Sequence, residues 1–350
     1  MATKKIISDI KNVFPSTGEK KFTFIDLFAG IGGFRIALQN LGGECVFSSE
    51  IDDNARISYA ANYGEIPEGD ITLQETKDLI PKDFDVLCAG FPCQSFSMAG
   101  KRMGFNETRG TLFFDVAEIL KQRQPKAFFL ENVKGLLSHD RGKTIKVILN
   151  TLNEVGYDVV PPEIVNAANF GVPQHRERVY IIGFRKDLGI DISKFKYPEP
   201  TDTTKRFCDV MEKEPVHPGY YMSKSYLETL ERHKSRNSAN GNGFGYAIVP
   251  LDGVANTILA TGGSGKERNL VIDTRQTNLQ CEKCRKKGGF NDQFIRIMTP
   301  REWARLQGFP DTFRIIVPDG PAYKQFGNSV AIPAIQATAK QLIDLLYAEK

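Results

Sequence analysis

The sequence predicts an α/β protein with a Rossmann-like, mostly parallel sheet that carries helices on both faces. Over the first 160 residues, apolar segments with strand character alternate with segments of helical periodicity. The first pair is KFTFIDLFAG, an apolar strand that stops at glycine, and IGGFRIALQNLGG, in which Phe34, Ala37, Leu38 and Leu41 recur at helical spacing. Parallel strands need crossover connections, which are usually helices, so the alternation indicates a parallel sheet.

The same strand and helix pattern repeats three more times. ECVFSSEID, DFDVLCAGFP and KAFFLENV predict strands, and DNARISYAANYG, GTLFFDVAEILKQRQP and KTIKVILNTLNEVG predict the helices that follow them. A further strand is expected to end at Asp70, which would make the strand before Cys93 the fourth. YDVVPPEIVNAANFG and RERVYIIGF predict two more strands, which close the sheet with an antiparallel edge.

Residues 187–292 have a different character from the rest of the chain. They are poor in helical periodicity and rich in Gly, Asn, Pro and Thr, which predicts a smaller, loop-rich, mainly β domain. Helical signals return at Thr299, which caps a helix with Pro300 at its first position and Glu302 at its third. A last helix, from Ile332 to about Ala348, is long enough to pack on the first domain. We therefore assign residues 1–186 and 293–350 to one domain and 187–292 to the other.

Composition limits the class of protein. The 350 residues are 41% hydrophobic, contain no apolar run near the ~18 residues of a membrane span, and start without the apolar core of a signal peptide. A soluble, cytoplasmic protein is expected. Six cysteines at irregular spacing predict reduced thiols. The net charge of +4 is mild, but residues 263–287 hold seven Lys or Arg against three Asp or Glu.

The first glycine loop, FAGIGG at residues 28–33, has features of a nucleoside site. Its glycines allow a ligand to approach the backbone, and Glu50 at the end of the next strand can accept both ribose hydroxyls. The loop is not G-x-G-x-x-G, so S-adenosylmethionine fits better than a dinucleotide, although a purely structural glycine turn is the alternative. Asp70 is a candidate partner for an adenine amino group, or else a solvated loop residue.

Cys93 is a candidate nucleophile. It follows a strand at the edge where such sheets bind ligands, in a long polar loop, and Pro92 makes the turn before it rigid. Cys88, inside the strand, suits a buried structural role better. Glu131 ends the next strand on the same edge of the sheet, where a carboxylate can act as a proton donor or instead cap a helix or form a salt bridge.

Two arginines in QHRERVYIIGF share one face of a strand. The two-residue period puts Arg176 and Arg178 together, with Glu177 and Val179 on the other face. Guanidinium groups that enter a core edge need an anion or a hydrogen-bond acceptor. CEKC, from Cys281 to Cys284, has no second ligand pair near it in sequence, so we expect no metal site.

Together these segments resemble the cytosine-C5 DNA methyltransferases of bacterial restriction-modification systems. The segments FIDLFAGIGGFRIAL, GDIT, GFPCQSFS, RGTLFF, LENVKGL, QHRERVYIIG, MTPREWARLQGFP and YKQFGNSVAIPAI match that family's motifs in its order. The region that they leave out is where the family keeps its target-recognition domain. The chain departs from many relatives at Ile51, where they carry a Trp that stacks on adenine.

The resemblance implies a role for each candidate residue. Cys93 would add to C6 of a flipped-out cytosine, Glu131 would hydrogen-bond its amino group and N3, Arg178 would contact O2 and hold the thiolate, and Arg176 would bind the closing loop or a phosphate. The expected S-adenosyl-L-methionine site consists of Phe28, Gly30, Gly32, Gly33, Glu50, Ile51, Asp70, Pro92, Asn328 and Ser329. The expected contacts to double-stranded DNA are Gln94, Ser95, Ser97, Thr257, Lys266, Arg268 and Arg275.

The resemblance further implies a monomer on DNA, associated with the nucleoid and functionally with a restriction endonuclease. Three alternatives stay open at this point. A nucleotide-dependent oxidoreductase would use the same glycine turn but leaves Cys93, Glu131 and the paired arginines unexplained. An inactive DNA-binding derivative would normally have lost one of Cys93, Glu131 or Arg178. A relative that acts on transfer RNA would share the catalytic motifs.

Overall fold

The computed structural model describes residue 14 and residues 20–92, 112–201, 205–241, 245–261, 269–276 and 290–348. The chain divides into two compact units. The first consists of residues 1–166, 177–200 and 330–350, and the second of residues 167–176 and 201–329. This division reflects packing, and the functional boundaries at residues 187 and 292 stay a prediction.

The first unit contains a seven-stranded sheet in the order β2-β1-β3-β4-β8-β5, with β6 also paired to β8. Its strands are β1 (Phe22–Leu27), β2 (Gly43–Ser49), β3 (Val86–Gly90), β4 (Ala127–Val133), β5 (Tyr157–Val159), β6 (Glu163–Asn166) and β8 (Glu177–Arg185). The first four strands are parallel, and β8 runs antiparallel to its three neighbours. The predicted sheet and its antiparallel edge are confirmed.

Helices cover both faces of this sheet. They are α1 (Gly33–Gln39), α2 (Asp53–Tyr63), α3 (Gln74–Asp78), α4 (Leu112–Arg123), α5 (Lys143–Glu154) and α10 (Ile332–Leu346). Ile25 and Leu27 of β1 share one buried cluster with Val116 of α4 and Ile148 of α5. On the other face, Phe34 of α1 packs edge-on against Phe129 of β4, and α10 packs against α1, as the sequence predicts for the last helix.

The second unit contains short strands and several helices. Its elements are β7 (Gln174–His175), β9 (Ala247–Ile248), β10 (Ala255–Asn256), β11 (Asn269–Ile272), β12 (Ile295–Ile297), α6 (Phe207–Val210), α7 (Lys224–Ala239), α8 (Pro300–Leu306) and α9 (Asp319–Asn328). β7 pairs in parallel with β10, and β11 lies between β12 and β9. The α7 helix is a feature that the sequence reasoning did not anticipate.

The α8 helix begins with the predicted capping box. The Thr299 hydroxyl accepts a hydrogen bond from the Glu302 amide, and the Glu302 carboxylate accepts one from the Thr299 amide. Glu302 also pairs with Arg296 of β12, which in turn pairs with Asp273 at 2.9 Å. All three of these charged side chains are fully buried, so their mutual pairing offsets the cost of removing them from water.

One strand assignment is wrong. No strand ends at Asp70, because the contact there is a single parallel bridge between Ser49 and Glu68, and Asp70 lies in a turn. The strand before Cys93 is consequently the third in the chain. No helix among the described residues has both the length and the apolar character to cross a membrane.

Asp26 is an acidic residue on a mostly apolar strand. It lies on β1 between Ser48 and Cys88 of the neighbouring strands and is 1% exposed. Neither of its carboxyl oxygens makes a hydrogen bond of normal geometry to a described residue. Burial raises the pKa of Asp26 to about 8; Arg35 opposes the shift and Glu50 adds to it.

We expect Asp26→Asn to flatten the pH dependence of stability. In the native protein Asp26 keeps its proton until about pH 8, whereas the unfolded chain loses it near the ordinary value of 3.8. The contribution of Asp26 to stability is therefore full below pH 4 and is lost as the pH rises to about 8, by up to ~1.4 kcal/mol per pH unit. Urea unfolding between pH 5 and 8 should show that the free energy of unfolding of the variant rises relative to that of the parent as the pH increases.

Asp85→Asn is the control for this measurement. Burial opposes the shift, but hydrogen bonds from Lys126 and Thr23 lower the pKa of Asp85, so that carboxylate stays ionised in both states over the same range. Its loss should shift stability by an amount that does not change with pH. Equal slopes for the parent and Asp26→Asn would contradict the assignment of a neutral Asp26.

Candidate active site

The glycine loop between β1 and α1 has a backbone that most residues avoid. Phe28, Gly30 and Gly32 all have positive φ, at 56°, 55° and 81°. A left-handed aromatic residue is unusual and persists only where its surroundings hold it. The Ala29 amide donates to Ser49 O of β2, and the Gly32 amide donates back to Ala29 O, which fixes the turn between them.

Two glycines of the loop serve different purposes. A Cβ on Gly32 would lie 2.4 Å from the Tyr63 hydroxyl, which donates to the carbonyls of Ile31 and Gly32, so packing excludes any larger residue there. A Cβ on Gly30 would have no described atom within 4 Å. The loop therefore packs against Tyr63 at Gly32 and leaves open space at Gly30, which a ligand could fill.

Glu50 is held in place by the loop that it faces. Its carboxylate accepts the Gly30 amide at 2.8 Å through one oxygen and the Asp52 amide at 2.8 Å through the other. Each oxygen keeps a second lone pair, which a ribose hydroxyl can use. Ile51, beside it, is 69% exposed, which is unusual for a large apolar side chain and is consistent with a surface for a ligand ring.

The Asp70 turn lies beside the end of β2, close in the fold to Glu50. The Glu50 amide donates to Glu68 O, two residues before Asp70. One oxygen of Asp70 accepts both the amide and the hydroxyl of Thr72, and the other accepts no hydrogen bond from the part of the chain that the structure describes. The structure thus brings together seven predicted cofactor residues of the first unit, which are Phe28, Gly30, Gly32, Gly33, Glu50, Ile51 and Asp70.

These residues fit a nucleoside with a cationic tail. The carboxylate of Glu50 suits ribose, and the open face of Gly30 suits close approach. Asp26, which the sequence reasoning missed, adds a buried carboxyl group two residues before Phe28, and this group makes no hydrogen bond of normal geometry to a described residue. Its signal in the sequence is an acidic residue within the apolar strand FTFIDL.

Glu131 and Arg178 form an ion pair at the carboxyl end of β4. The Arg178 Nε lies 3.1 Å from Glu131 Oε1, and the two side chains are only 14% and 11% exposed. Glu131 is in register with Gly90, the last residue of β3, and a Cβ on Gly90 would lie 3.7 Å from Glu131 Oε2. The carboxylate therefore borders the point where β3 leaves the sheet toward Pro92.

Asn132 fixes the start of the turn that leads to Cys93. Its Nδ2 donates to Phe91 O at 2.8 Å, and the Phe91 ring is buried against Phe113. Pro92, directly after this anchor, is exposed. The motif LENVKGL does not predict this role for Asn132; its signal in the sequence is an Asn directly after the carboxylate of Glu131. Several predicted residues lie outside the described part of the chain. They are Cys93, Gln94, Ser95, Ser97, Lys266, Arg268, Cys281 and Cys284.

The two described cysteines that lie within strands, Cys45 and Cys88, have thiols that stay protonated near neutral pH. Burial raises the pKa of the Cys88 thiol well above its usual value. Burial likewise raises the pKa of Cys45 to about 12, although Arg35 opposes the shift. A thiol that stays protonated is a poor nucleophile, so Cys88 suits the structural role that its position in the strand predicts.

Arg176 is surrounded by backbone carbonyls, whereas Arg178 faces the carboxylate of Glu131. Arg176 is 3% exposed and donates to the carbonyls of Ile258, Gly327 and Ser329, all within the second unit. This environment favours a positioning role over the predicted contact with a loop or a phosphate. Ser329 is buried and Asn328 exposed at the end of α9, and their assignment to the cofactor stays a prediction.

The described DNA candidates are Thr257 and Arg275. The Thr257 hydroxyl donates to His175 O at 2.5 Å. Arg275 donates to both oxygens of Asp273 and to the carbonyls of Glu212 and Lys213. Burial alone would raise the pKa of Asp273, but hydrogen bonds from Arg275 and Arg296 lower it to about 2. These bonds favour a structural role for Arg275.

Comparison with known proteins identifies relatives over nearly the whole chain. Type II methyltransferase M.HpaII of Haemophilus parainfluenzae is 62% identical over 328 residues, which cover 93% of this chain and 90% of that protein. Type II methyltransferase M.HhaI of Haemophilus parahaemolyticus is 42% identical over 326 residues, which cover 90% and 92%.

Solved structures share the fold at low sequence identity. A mutant of Spodoptera frugiperda DNMT2 matches with a TM-score of 0.71 at 21% identity and covers 92% of this chain and 99% of its own. The S. pombe Dnmt2 methyltransferase matches with a TM-score of 0.67 at 20% identity, covering 93% and 98%. The model of the C-5 cytosine-specific DNA methylase family matches residues 22–344. With that match and the close relatives, the chain belongs to the C-5 cytosine-specific DNA methylase family.

Proposed function

We propose that the protein transfers a methyl group from S-adenosyl-L-methionine to C5 of a cytosine that it flips out of duplex DNA. The observation that carries this proposal is the buried Glu131–Arg178 pair beside Gly90, at the edge where the chain leaves the sheet toward Cys93. The pair offers a carboxyl group and a guanidinium side by side. A nucleotide-dependent hydride transfer has no use for such a pair next to a cysteine loop.

The reaction begins with the ring of the cytosine. C5 is a weak nucleophile while the ring is conjugated, so the Cys93 thiolate adds to C6 and forms a C–S bond. The electron pair of the C5–C6 double bond moves into the ring toward N3, where Glu131 provides the proton or hydrogen bond that stabilises it. Arg178, paired with Glu131, would donate to O2 of the same base.

The adduct then makes C5 nucleophilic, and C5 takes the methyl group. When bound, S-adenosyl-L-methionine supplies an electrophilic methyl on a sulfonium. A base removes the C5 proton, the C–S bond breaks with its electron pair returning to sulfur, and Cys93 is free again. Because C6 is hidden in a stacked duplex, the target nucleotide must leave the helix before the first step.

The residues that would hold the cofactor are those of the glycine loop and its surroundings. Glu50 would accept the ribose hydroxyls, Ile51 would cover the adenine, and Asp70 would use its free oxygen for the adenine amino group. Pro92, Asn328 and Ser329 are assigned on the resemblance. Asp26 would supply a negative charge near the cationic end, because a bound cation favours the ionised carboxylate.

The wider setting follows from the relatives. Two similar proteins carry the name type II methyltransferase, which supports a role in protecting host DNA from a cognate restriction endonuclease. The enzyme would act as a monomer on DNA in the cytoplasm. Residues 187–292 would carry target recognition, with Thr257 near a phosphate of the flipped nucleotide.

DNA that contains 5-fluorocytosine at the methylated site should become covalently attached to the protein. Fluorine at C5 blocks the proton loss that releases Cys93, so the adduct accumulates. Bisulfite sequencing of plasmid from expressing cells maps the site, and denaturing gel electrophoresis then detects the adduct. Cys93→Ala should give no adduct, and Cys88→Ala should still give one. Trapping by Cys93→Ala at the parental level would show that the nucleophile is another residue.

We expect Glu131→Gln to slow methyl transfer by about 100-fold or more while cofactor affinity changes by less than about threefold. Gln keeps the size of Glu131 but loses both the acid and the ion pair with Arg178. Single-turnover methylation and calorimetric titration with S-adenosylhomocysteine measure the two quantities.

Glu177→Gln is the matched control for Glu131→Gln. Glu177 lies next to Arg178 in the chain but pairs with Lys134 at the surface, where an ion pair contributes little. The Glu177→Gln variant should methylate DNA at nearly the parental rate. A large loss of cofactor affinity in Glu131→Gln would contradict the role given to Glu131.

A further inference from the structure

Two segments of the second unit, with separate proposed roles, are held together by buried side chains. The Thr257 segment comprises residues 257–260 and follows β10. The Ser329 segment comprises residues 326–329 and ends α9. The inference rests on the proposed function, which assigns Thr257 to DNA and Asn328 and Ser329 to the cofactor.

Gln307, which no motif assignment used, connects to both segments. It is fully buried at the end of α8, and its Nε2 donates to Phe326 O at 2.7 Å and to Ser329 O at 3.1 Å. Its Oε1 accepts a hydrogen bond from Gln174 Nε2 at 3.2 Å. Gln174 is also fully buried, and its own Oε1 accepts the Ile258 amide at 3.1 Å.

Arg176 makes a second and more direct connection. One terminal nitrogen of its guanidinium donates to Ile258 O at 3.2 Å, and the other donates to Gly327 O at 3.2 Å and to Ser329 O at 2.6 Å. The planar guanidinium has its donors in a fixed fork, so it holds these carbonyls at set positions. One side chain therefore bonds to both segments at once.

The backbones of the two segments also touch. A Cβ on Gly327 would lie 2.4 Å from Ala260 N and 2.5 Å from the carbonyl carbon of Leu259. Only glycine allows this approach. Since a buried carbonyl that loses its donor is costly, a shift of one segment alone is disfavoured, and the two move together or not at all.

We propose that Gln174, Arg176 and Gln307 are positioning residues that make the Thr257 segment and the Ser329 segment one body. A ligand that orders one segment then orders the other. Cofactor and DNA consequently strengthen each other's binding, and by thermodynamic linkage the two effects have the same magnitude.

The test measures this coupling in the full chain with Gln307→Met. Met approximates the size of Gln but donates no hydrogen bond. The dissociation constant of S-adenosylhomocysteine is measured by calorimetry without DNA and with a saturating duplex that carries the site mapped by bisulfite sequencing. We expect the parent to bind S-adenosylhomocysteine at least about fivefold more tightly when the duplex is present than when it is absent. Gln307→Met should lose most of this enhancement, while its affinity without DNA changes by less than about threefold.

Two further variants separate positioning from loss of folding. Gly327→Ala keeps every hydrogen-bonding side chain but pushes the Thr257 segment away, and it should also lose the enhancement. Arg301→Met removes hydrogen bonds that the same helix makes to the carbonyls of Pro310 and Phe313, which belong to neither segment, and this variant should keep the enhancement. Thermal unfolding checks that each variant is folded.

The outcomes distinguish this inference from the proposed function. If the parent binds neither S-adenosylhomocysteine nor the duplex, the proposed function fails and this inference fails with it. If the parent binds both without mutual enhancement, or if folded Gln307→Met and Gly327→Ala keep the parental enhancement, only the positioning role is overturned.

Discussion

The candidate active site depends on the antiparallel pairing of β8 with β4. Glu131 of β4 lies opposite Tyr180, and Arg178, two residues earlier on β8, lies opposite Val133. This offset lets the Arg178 side chain reach Glu131 within the sheet, and both charges are largely removed from water. Neither charge would be tolerated alone at this burial, so each depends on the other. A shift of one residue in the register of β8 would turn Arg178 to the face of the sheet opposite Glu131.

Charges inside the protein are handled in two different ways. Arg296, Asp273 and Glu302 are completely buried, and each is matched by an opposite charge, which suits a structural role between β11, β12 and α8. Asp26 is equally buried but makes no ion pair, and its raised pKa shows the cost of ionising it there. Among the described residues, the fully buried carboxylates of Asp273 and Glu302 are paired with arginine. The carboxyl group of Asp26 differs, and it remains available to a ligand beside the glycine loop.

Much of the first unit could be predicted from the sequence, because its signals are local. The alternation of strands and helices, the glycine turn, the Thr299 cap and the last helix follow from periodicity and capping chemistry. The strand expected at Asp70 failed because EIPEGDIT has too few apolar residues, and its bridge to β2 depends on a tertiary contact. The α7 helix was missed because KSYLETLERHKSRNSA is polar and buries only Leu227 and Leu230.

The site was predictable in its residue types but not in its connections. Glu50 and Glu131 follow from their positions after strands, and the structure places each at the expected edge. The roles of Arg176 and Gln307 depend on bonds between residues more than 80 positions apart, such as Arg176 with Ile258, which no periodicity encodes. Asn132 illustrates the same limit, because its partner, Phe91, lies just after the neighbouring strand β3.

The hydrogen bond from Asn132 to Phe91 O fixes the chain two residues before the proposed nucleophile. Phe91 is fastened to the sheet, and successive Cα atoms are about 3.8 Å apart across a trans peptide bond. Cys93 is two residues beyond this bond, and Pro92 fixes its own φ between them. The covalent chain therefore keeps Cys93 within two peptide units of a carbonyl that the sheet holds, so the proposed addition to C6 requires the flipped base to come to this edge of the sheet.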